Sequence, residues 1–253
     1  MDDGDRIRDG LTAALSGAGR GRAAADRLCS ACVDLLDVDG AALSIIYDGA
    51  ISRSLGASGQ LSRELDELQF TLGEGPCLQA VTQWSPVLVA DLDDPTETLW
   101  PGFAGAALQR GVRAVFALPV SAAASAIGAL DLYRHKPGEL GDLALAGGLI
   151  AAELAALPLL DLMGIDLEAA MTDETSGAWE QLTQLTRVEV YQAAGMLIGQ
   201  LNLSPAEALI RLRAYAYAND LTASDVAYAI IEDGLLLADD EGRASKPATG
   251  GSE

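Results

Sequence analysis

The period of the hydrophobic positions changes several times along the chain, and each change marks an element. Over residues 21–37, Leu28, Cys32, Leu35 and Leu36 fall near one helical face, and Asp39-Gly40 ends that helix. Residues 41–47 (AALSIIY) then read as a strand, Asp48-Gly49 as a hairpin turn and residues 50–55 as the partner strand. A polar helix is expected over residues 58–68. In the following TLGEGPCLQAV, Gly73 and Gly75 permit a tight loop and Pro76 suits the first turn of a short helix through Gln83. Residues 86–90 form a brief apolar strand, and residues 99–110 a helix ended by Gly111. Residues 112–120 and 126–133 make a second hairpin-like pair, and residues 139–157 a long apolar helix.

Strands grouped as hairpins, with helices around them, predict an α+β antiparallel sheet rather than a doubly wound parallel one. Residues 1–20 carry Gly, Ser and charges without a firm period and read as a flexible arm, frayed or loosely helical. The sheet domain is expected over residues 21–160, and an acidic linker over 161–177. A separate all-α module spans 178–237, and a flexible tail spans 238–253. Within the module, residues 187–237 read as three helices. Ser204-Pro205-Ala206-Glu207 supplies an N-cap serine, a first-turn proline and a glutamate at N3. Thr222-Ala223-Ser224-Asp225 repeats this more weakly. Three helices of this size bury little core alone, which marks the module as an output attached to something larger.

Two resemblances follow from these motifs. GEGPCLQAV, followed by ADL, GVRAVFALPV and IGALDLYR, resembles a GAF sensory domain of the kind found in actinobacterial regulators. The resemblance implies a pocket for a small-molecule or protein signal, with Phe70, Cys77, Trp84, Trp100 and Phe103 as its wall; ordinary core packing is the other reading of these five. The C-terminal helices resemble an ANTAR domain through Tyr191-Gln192-Ala193 and Gly195, Glu207-Ala208, Leu212-Arg213 and Asp225-Val226-Ala227. That family binds paired stem-loops in nascent RNA and blocks a terminator. The implied RNA-binding residues are Arg187, Tyr191, Gln192, Ala193, Gly195, Arg211 and Arg213, with Tyr215 or Tyr217 also placed to stack on bases. Where the family commonly has Ala-Lys-Gly, this chain has Ala193-Ala194-Gly195.

Charge qualifies this picture. The formal net charge of −21 opposes nonspecific attraction to nucleic acid or anionic membrane. Between Arg187 and Leu237 three arginines face six acidic residues, so the module itself is net −3. An RNA-reading module with so few cations suits a homodimer, which doubles them. The alternative is a sensor whose helices serve dimerisation or partner docking without RNA.

No catalytic constellation emerges, since one histidine excludes most Ser-His and Cys-His machinery, and the chain reads as a non-enzyme. Cys29, Cys32, Cys77 and His135 together match a zinc inventory, but they lack local pairing apart from Cys29 and Cys32, and buried structural cysteines are the expectation. No metal or cofactor is assigned. The opening MDDGDRIRDG is not a secretory signal, and no run reaches the roughly 20 apolar residues of a membrane span, which gives a cytoplasmic, non-membrane reading.

Overall fold

The antiparallel pairing expected from the two hairpins joins all the strands into one sheet. The computed structural model describes residues 3–16, 21–47, 50–96, 99–122, 125–163 and 187–237. It divides into two units, residues 1–186 and 187–253. Of the linker expected over residues 161–177, the first three belong to the last helix of the first unit and 164–177 lie outside the described residues, as do the start of the module up to 186 and the tail from 238.

In the first unit the elements are α1 (Asp3–Leu15), α2 (Arg22–Leu35), β1 (Gly40–Tyr47), β2 (Ala50–Ala57) and α3 (Gln60–Leu72). They continue with α4 (Pro76–Gln83), β3 (Val87–Val89), α5 (Pro101–Gln109), β4 (Ala114–Ala122), β5 (Ser125–Arg134) and α6 (Asp142–Met163). The strand order is β2-β1-β5-β4-β3, antiparallel throughout. The β1–β2 ladder slips register twice, between Leu43 and Ser44 and between Ile45 and Ile46.

Alternation along the strands gives the sheet two different faces. One carries Leu43, Ile45, Phe116, Leu118, Leu130 and Leu132, which form a core with Leu11, Leu28, Cys29, Cys32 and Leu159 from α1, α2 and α6. The other carries Ala42, Ala117, Val115 and Tyr133, clustered with Leu65, Ala80 and Phe103 from α3, α4 and α5. Ala42, Ala117 and Ala129 are small, so α4 settles close against the strands.

Two expectations are corrected here. Residues 3–15 are not a flexible arm: of the frayed and loosely helical alternatives they take the helical one as α1, whose Ile7 and Leu11 are buried in the first core. Ile7 and Leu11, one turn apart, are its buried anchors, with Leu15 partly buried against the same core, a pattern too short to stand out among charges. The other is the expectation that no run is long and apolar enough for a membrane span. Within α6, residues 142–159 have a mean hydropathy of 1.6 and are long and apolar enough to cross a membrane. In this fold Ala151, Ala152, Ala155 and Leu159 are spent on the core instead.

The Gly73-Glu74-Gly75 loop has a structural task. Gly73 ends α3 in the left-handed region at φ 67°, and Gly75 at φ 144° precedes Pro76 at the start of α4. Between them, Glu74 reaches across to α5, which has no side-chain cap of its own. Its Oε1 accepts the backbone N–H groups of Gly102 at 2.8 Å and Phe103 at 3.0 Å. A carboxylate at a helix N-terminus meets both the unpaired donors and the helix dipole. Glu74→Ala is expected to cost about 1–2 kcal/mol in urea unfolding, as loss of an N-cap does; an unchanged midpoint would show that the loop holds α5 by other means.

The second unit contains α7 (Val188–Leu201), α8 (Pro205–Ala218) and α9 (Ala223–Ile231). Both expected caps are full capping boxes. The Glu207 N–H donates to Ser204 Oγ and the Ser204 N–H to Glu207 Oε2, with Thr222 and Asp225 doing the same for α9. Asn202, left-handed at φ 52°, ends α7. Val190, Ala193, Ala194, Leu197, Ala208, Leu212, Ala216, Val226, Ala227 and Ile230 are buried; five of these ten are alanines, so the helices approach closely.

Candidate functional site

Two places carry groups suited to recognition: a cavity in the first unit and the exposed side of α7 in the second. The cavity, about 350 Å³, opens between α2, the start of α3 and the end of β5. Its lining mixes polar and apolar groups, the polar ones including Asp34, Asp39, Ser58, Ser62, Tyr133 and His135. Gly40 keeps it open, because a Cβ there would stand 2.8 Å from Ser62 Oγ and 3.3 Å from the Tyr133 ring.

The two basic residues at its rim are largely occupied. Arg134 donates to Asp37 O at 2.7 Å, Glu139 O at 3.0 Å and Asp37 Oδ2 at 3.0 Å, and lies 5.6 Å from the Phe116 ring centroid. His135 is exposed, with Nδ1 2.9 Å from Gly111 O. A carbonyl only accepts, so Nδ1 carries the proton and Nε2 is left for other partners.

None of the five expected pocket-wall residues lines this cavity. Phe70 and Cys77 are buried, and Trp100 and Phe103 belong to the core under α5. Trp84 is 55% exposed, at the left-handed C-cap of α4. Trp100 and Phe103 fill the space above the small-residue sheet face rather than framing an opening there. The residues that do line the cavity are serines, aspartates and glycines, which carry no sequence signal distinct from turns and caps.

The cysteines are all free and buried. Burial pushes Cys32 up to about 12 and raises Cys29 and Cys77 well above the ordinary thiol value. The reactive thiolate is therefore suppressed at all three. Among the described residues no three of His, Cys, Asp and Glu are placed to hold a metal ion.

On the second unit, α7 turns Tyr191, Gln192 and Gly195 outward, with Tyr191 50% exposed. Ala193 does not join them; it is fully buried, as is nearly the case for Ala194. The interior of the bundle takes these two positions, so neither methyl meets RNA in this fold. Gly199, one turn beyond Gly195, is also exposed, and a Cβ at either glycine would meet nothing within 4 Å.

The arginines divide. Arg187, expected at the RNA surface, is 5% exposed at the N-cap of α7. Its Nη1 lies 3.5 Å from Ser224 Oγ, and Ser224 Oγ donates to Glu189 Oε1 at 2.9 Å, linking the start of α7 to α9. Arg213 is half-buried within electrostatic reach of Tyr191 and Arg187. Burial lowers its pKa; Tyr191 opposes that and Arg187 adds to it. Arg211, half-buried, sits two positions away on α8, about 200° around the helix. The three do not form one exposed basic face.

An antiparallel sheet sandwiched by helices, holding a small cavity, together with a capped three-helix unit, defines a two-domain α+β and all-α protein. Family comparison agrees. The chain belongs to the GAF domain family, whose model matches residues 22–157, and it carries an ANTAR domain matched over residues 181–231. A GAF sensor joined to an ANTAR domain is the composition of a signal-responsive regulator. The GAF domain of an Acinetobacter phosphoenolpyruvate-protein phosphotransferase is similar in fold at 9% identity and TM-score 0.55, covering 65% of this chain and 98% of that one. The equivalent domain from Coxiella burnetii is similar at 16% identity and TM-score 0.51, covering 66% and 97%. A free methionine-R-sulfoxide reductase from Neisseria meningitidis, in complex with its substrate, is similar at 16% identity and TM-score 0.46, covering 64% and 94%. No curated protein matches the chain.

Proposed function

We propose that this protein is a cytoplasmic, homodimeric, RNA-binding regulator that acts by transcription antitermination. The GAF unit takes a small-molecule or protein signal, and the ANTAR unit binds stem-loops in nascent RNA. The ANTAR match over residues 181–231 carries the reading. The exposed row Tyr191, Gln192, Gly195 and Gly199 supports it physically. This row presents an aromatic face, an amide and two gaps in the side-chain layer, where a sugar–phosphate backbone or a splayed base fits close to the helix. On the GAF side, the cavity between α2, α3 and β5 is the candidate for a small-molecule signal.

The scarcity of exposed cations sets the character of the binding. Single-strand contacts give a slope of about −0.7 in log affinity against log salt per phosphate neutralised. With Arg187 buried, a dimer is expected to show a slope of about −3 or shallower on a paired hexaloop stem-loop RNA. Fluorescence anisotropy between 50 and 200 mM salt reads this, in the range where such slopes are measured. An absence of salt-sensitive binding, with and without candidate effectors, sinks the proposal.

The same burial of Arg187 favours one other reading: a sensor whose ANTAR helices serve dimerisation or protein docking. It predicts that Arg213→Ala leaves regulation in cells intact, whereas disrupting the helix interface abolishes it.

A further inference from the structure

The cavity between α2, α3 and β5 is lined by groups of two opposite characters. From the end of α2 and the turn into β1 come the carboxylates of Asp34 and Asp39. One oxygen of Asp39 is engaged, Oδ2 accepting the His135 backbone N–H at 2.7 Å. The His135 ring adds a lone pair, because Nδ1 donates to Gly111 O and leaves Nε2 as an acceptor. Arg134 does not neutralise this set, since its guanidinium is held on Asp37 and on the Glu139 carbonyl. The whole set accepts hydrogen bonds and favours a cation.

The start of α3 has the other character. Gly59, Gln60, Leu61 and Ser62 all line the cavity, and Gly59 is the N-cap, with no side chain to serve the first amides. The helix dipole is positive at this end, so the group favours an anion. Gly40 brings the two sets together. It follows Asp39 in the chain, and a Cβ on it would stand 2.8 Å from Ser62 Oγ. Tyr133 also lines the cavity; it is 2% exposed, and its hydroxyl is buried with no hydrogen-bond partner. A buried hydroxyl of this kind calls for a polar partner, and a ligand in the cavity can supply one. Val33, Leu61 and Val112 add apolar surface.

We propose that this cavity takes a small zwitterion, an aliphatic amino acid or a close relative of one. Its ammonium lies on Asp34, Asp39 and His135, its carboxylate on the first amides of α3, and its side chain on the valines and Leu61. An anion alone would meet two carboxylates, and a cation alone would face the positive end of α3. The volume of about 350 Å³ is at the lower end of the range for small-molecule sites, which suits an amino acid. The assignment rests on the cavity being the place of a small-molecule signal.

Proton–nitrogen NMR of the full chain tests it, with leucine as the probe. Leucine at millimolar concentration is expected to shift the amides of Gln60, Leu61, Ser62 and His135. Isoamylamine, which lacks the carboxylate, and isocaproate, which lacks the ammonium, should each bind about tenfold or more weakly, as loss of a charge-assisted hydrogen bond predicts. Asp34→Asn, at an exposed position, should keep the unfolding midpoint and weaken leucine by a similar factor. Equal affinity for leucine and either analogue would overturn the zwitterion while leaving the cavity a small-molecule site. If none of the three probes shifts these amides, both the assignment and the reading of the cavity beneath it are overturned. Stem-loop RNA affinity with and without leucine then reads the input role; an unchanged affinity beside clear binding would overturn that role alone.

Discussion

Gly128→Ala is expected to cost the GAF unit about 3 kcal/mol, the upper end of what overpacking a core usually costs. Gly128 lies in β5, paired with Ile45 on one side and Val120 on the other. A Cβ there would stand 2.2 Å from the Ser44 carbonyl oxygen and 3.1 Å from Leu159 Cδ1. The leucine can turn, but the carbonyl belongs to the adjacent strand and cannot yield without opening the β1–β5 ladder. The same shift would move Ser44 away from Asp66, so the damage reaches the other face of the sheet. Urea unfolding followed by the strand signal measures the effect. A midpoint change worth less than about 1 kcal/mol, at the bottom of the overpacking range, would mean that the ladder adjusts more cheaply than its geometry implies.

Gly195 is expected to give the opposite result for stability and a large one for binding. Nothing lies within 4 Å of the place its Cβ would occupy, so the bundle has no need of a glycine there. A helix-interior glycine costs roughly 0.5–1 kcal/mol relative to alanine. Gly195→Ala should therefore stabilise the ANTAR unit by about that amount. Gly195→Glu should also keep the helix, yet place a carboxylate where RNA phosphate would lie and weaken stem-loop binding by about tenfold or more, some 1.4 kcal/mol. Anisotropy titrations of wild type and both variants separate the effects. Unaltered affinity in the glutamate variant would remove α7 from the RNA contact.

The sequence-level expectations succeeded where the signal is local. The capping boxes at Ser204 and Thr222 are complete within four residues each, and they place α8 and α9 correctly. The hairpins follow from alternation and turns, and the GEGPC motif places α4. Expectations failed where a side chain's role depends on a distant partner. Asp66 and Gln69 sit on a helix whose composition reads as solvated, and only the packing of α3 over β1 and β5 shows that they face inward. Glu74 looks like part of a glycine loop until α5, nearly thirty residues later, presents its N–H groups to it. The expected pocket wall followed aromatic residues, of which Trp100 and Phe103 pack over the small residues of the sheet face while Trp84 is exposed. Arg187 was counted as a surface cation because nothing near it in sequence announces Ser224.

The outer borders of the sheet bear on how the protein behaves at high concentration. On one side β3 is three residues long, too short to template an incoming strand. On the other, the two register slips between β1 and β2 add twist at the longer border strand β2, which among the described residues pairs with no further strand. Both borders therefore discourage end-to-end association into fibrils, and the surplus of acidic groups adds repulsion between molecules. Straightening the β1–β2 ladder by deleting one bulge residue would remove this protection while leaving the pairing hydrogen bonds in place, turning the sheet border into a seed for aggregation.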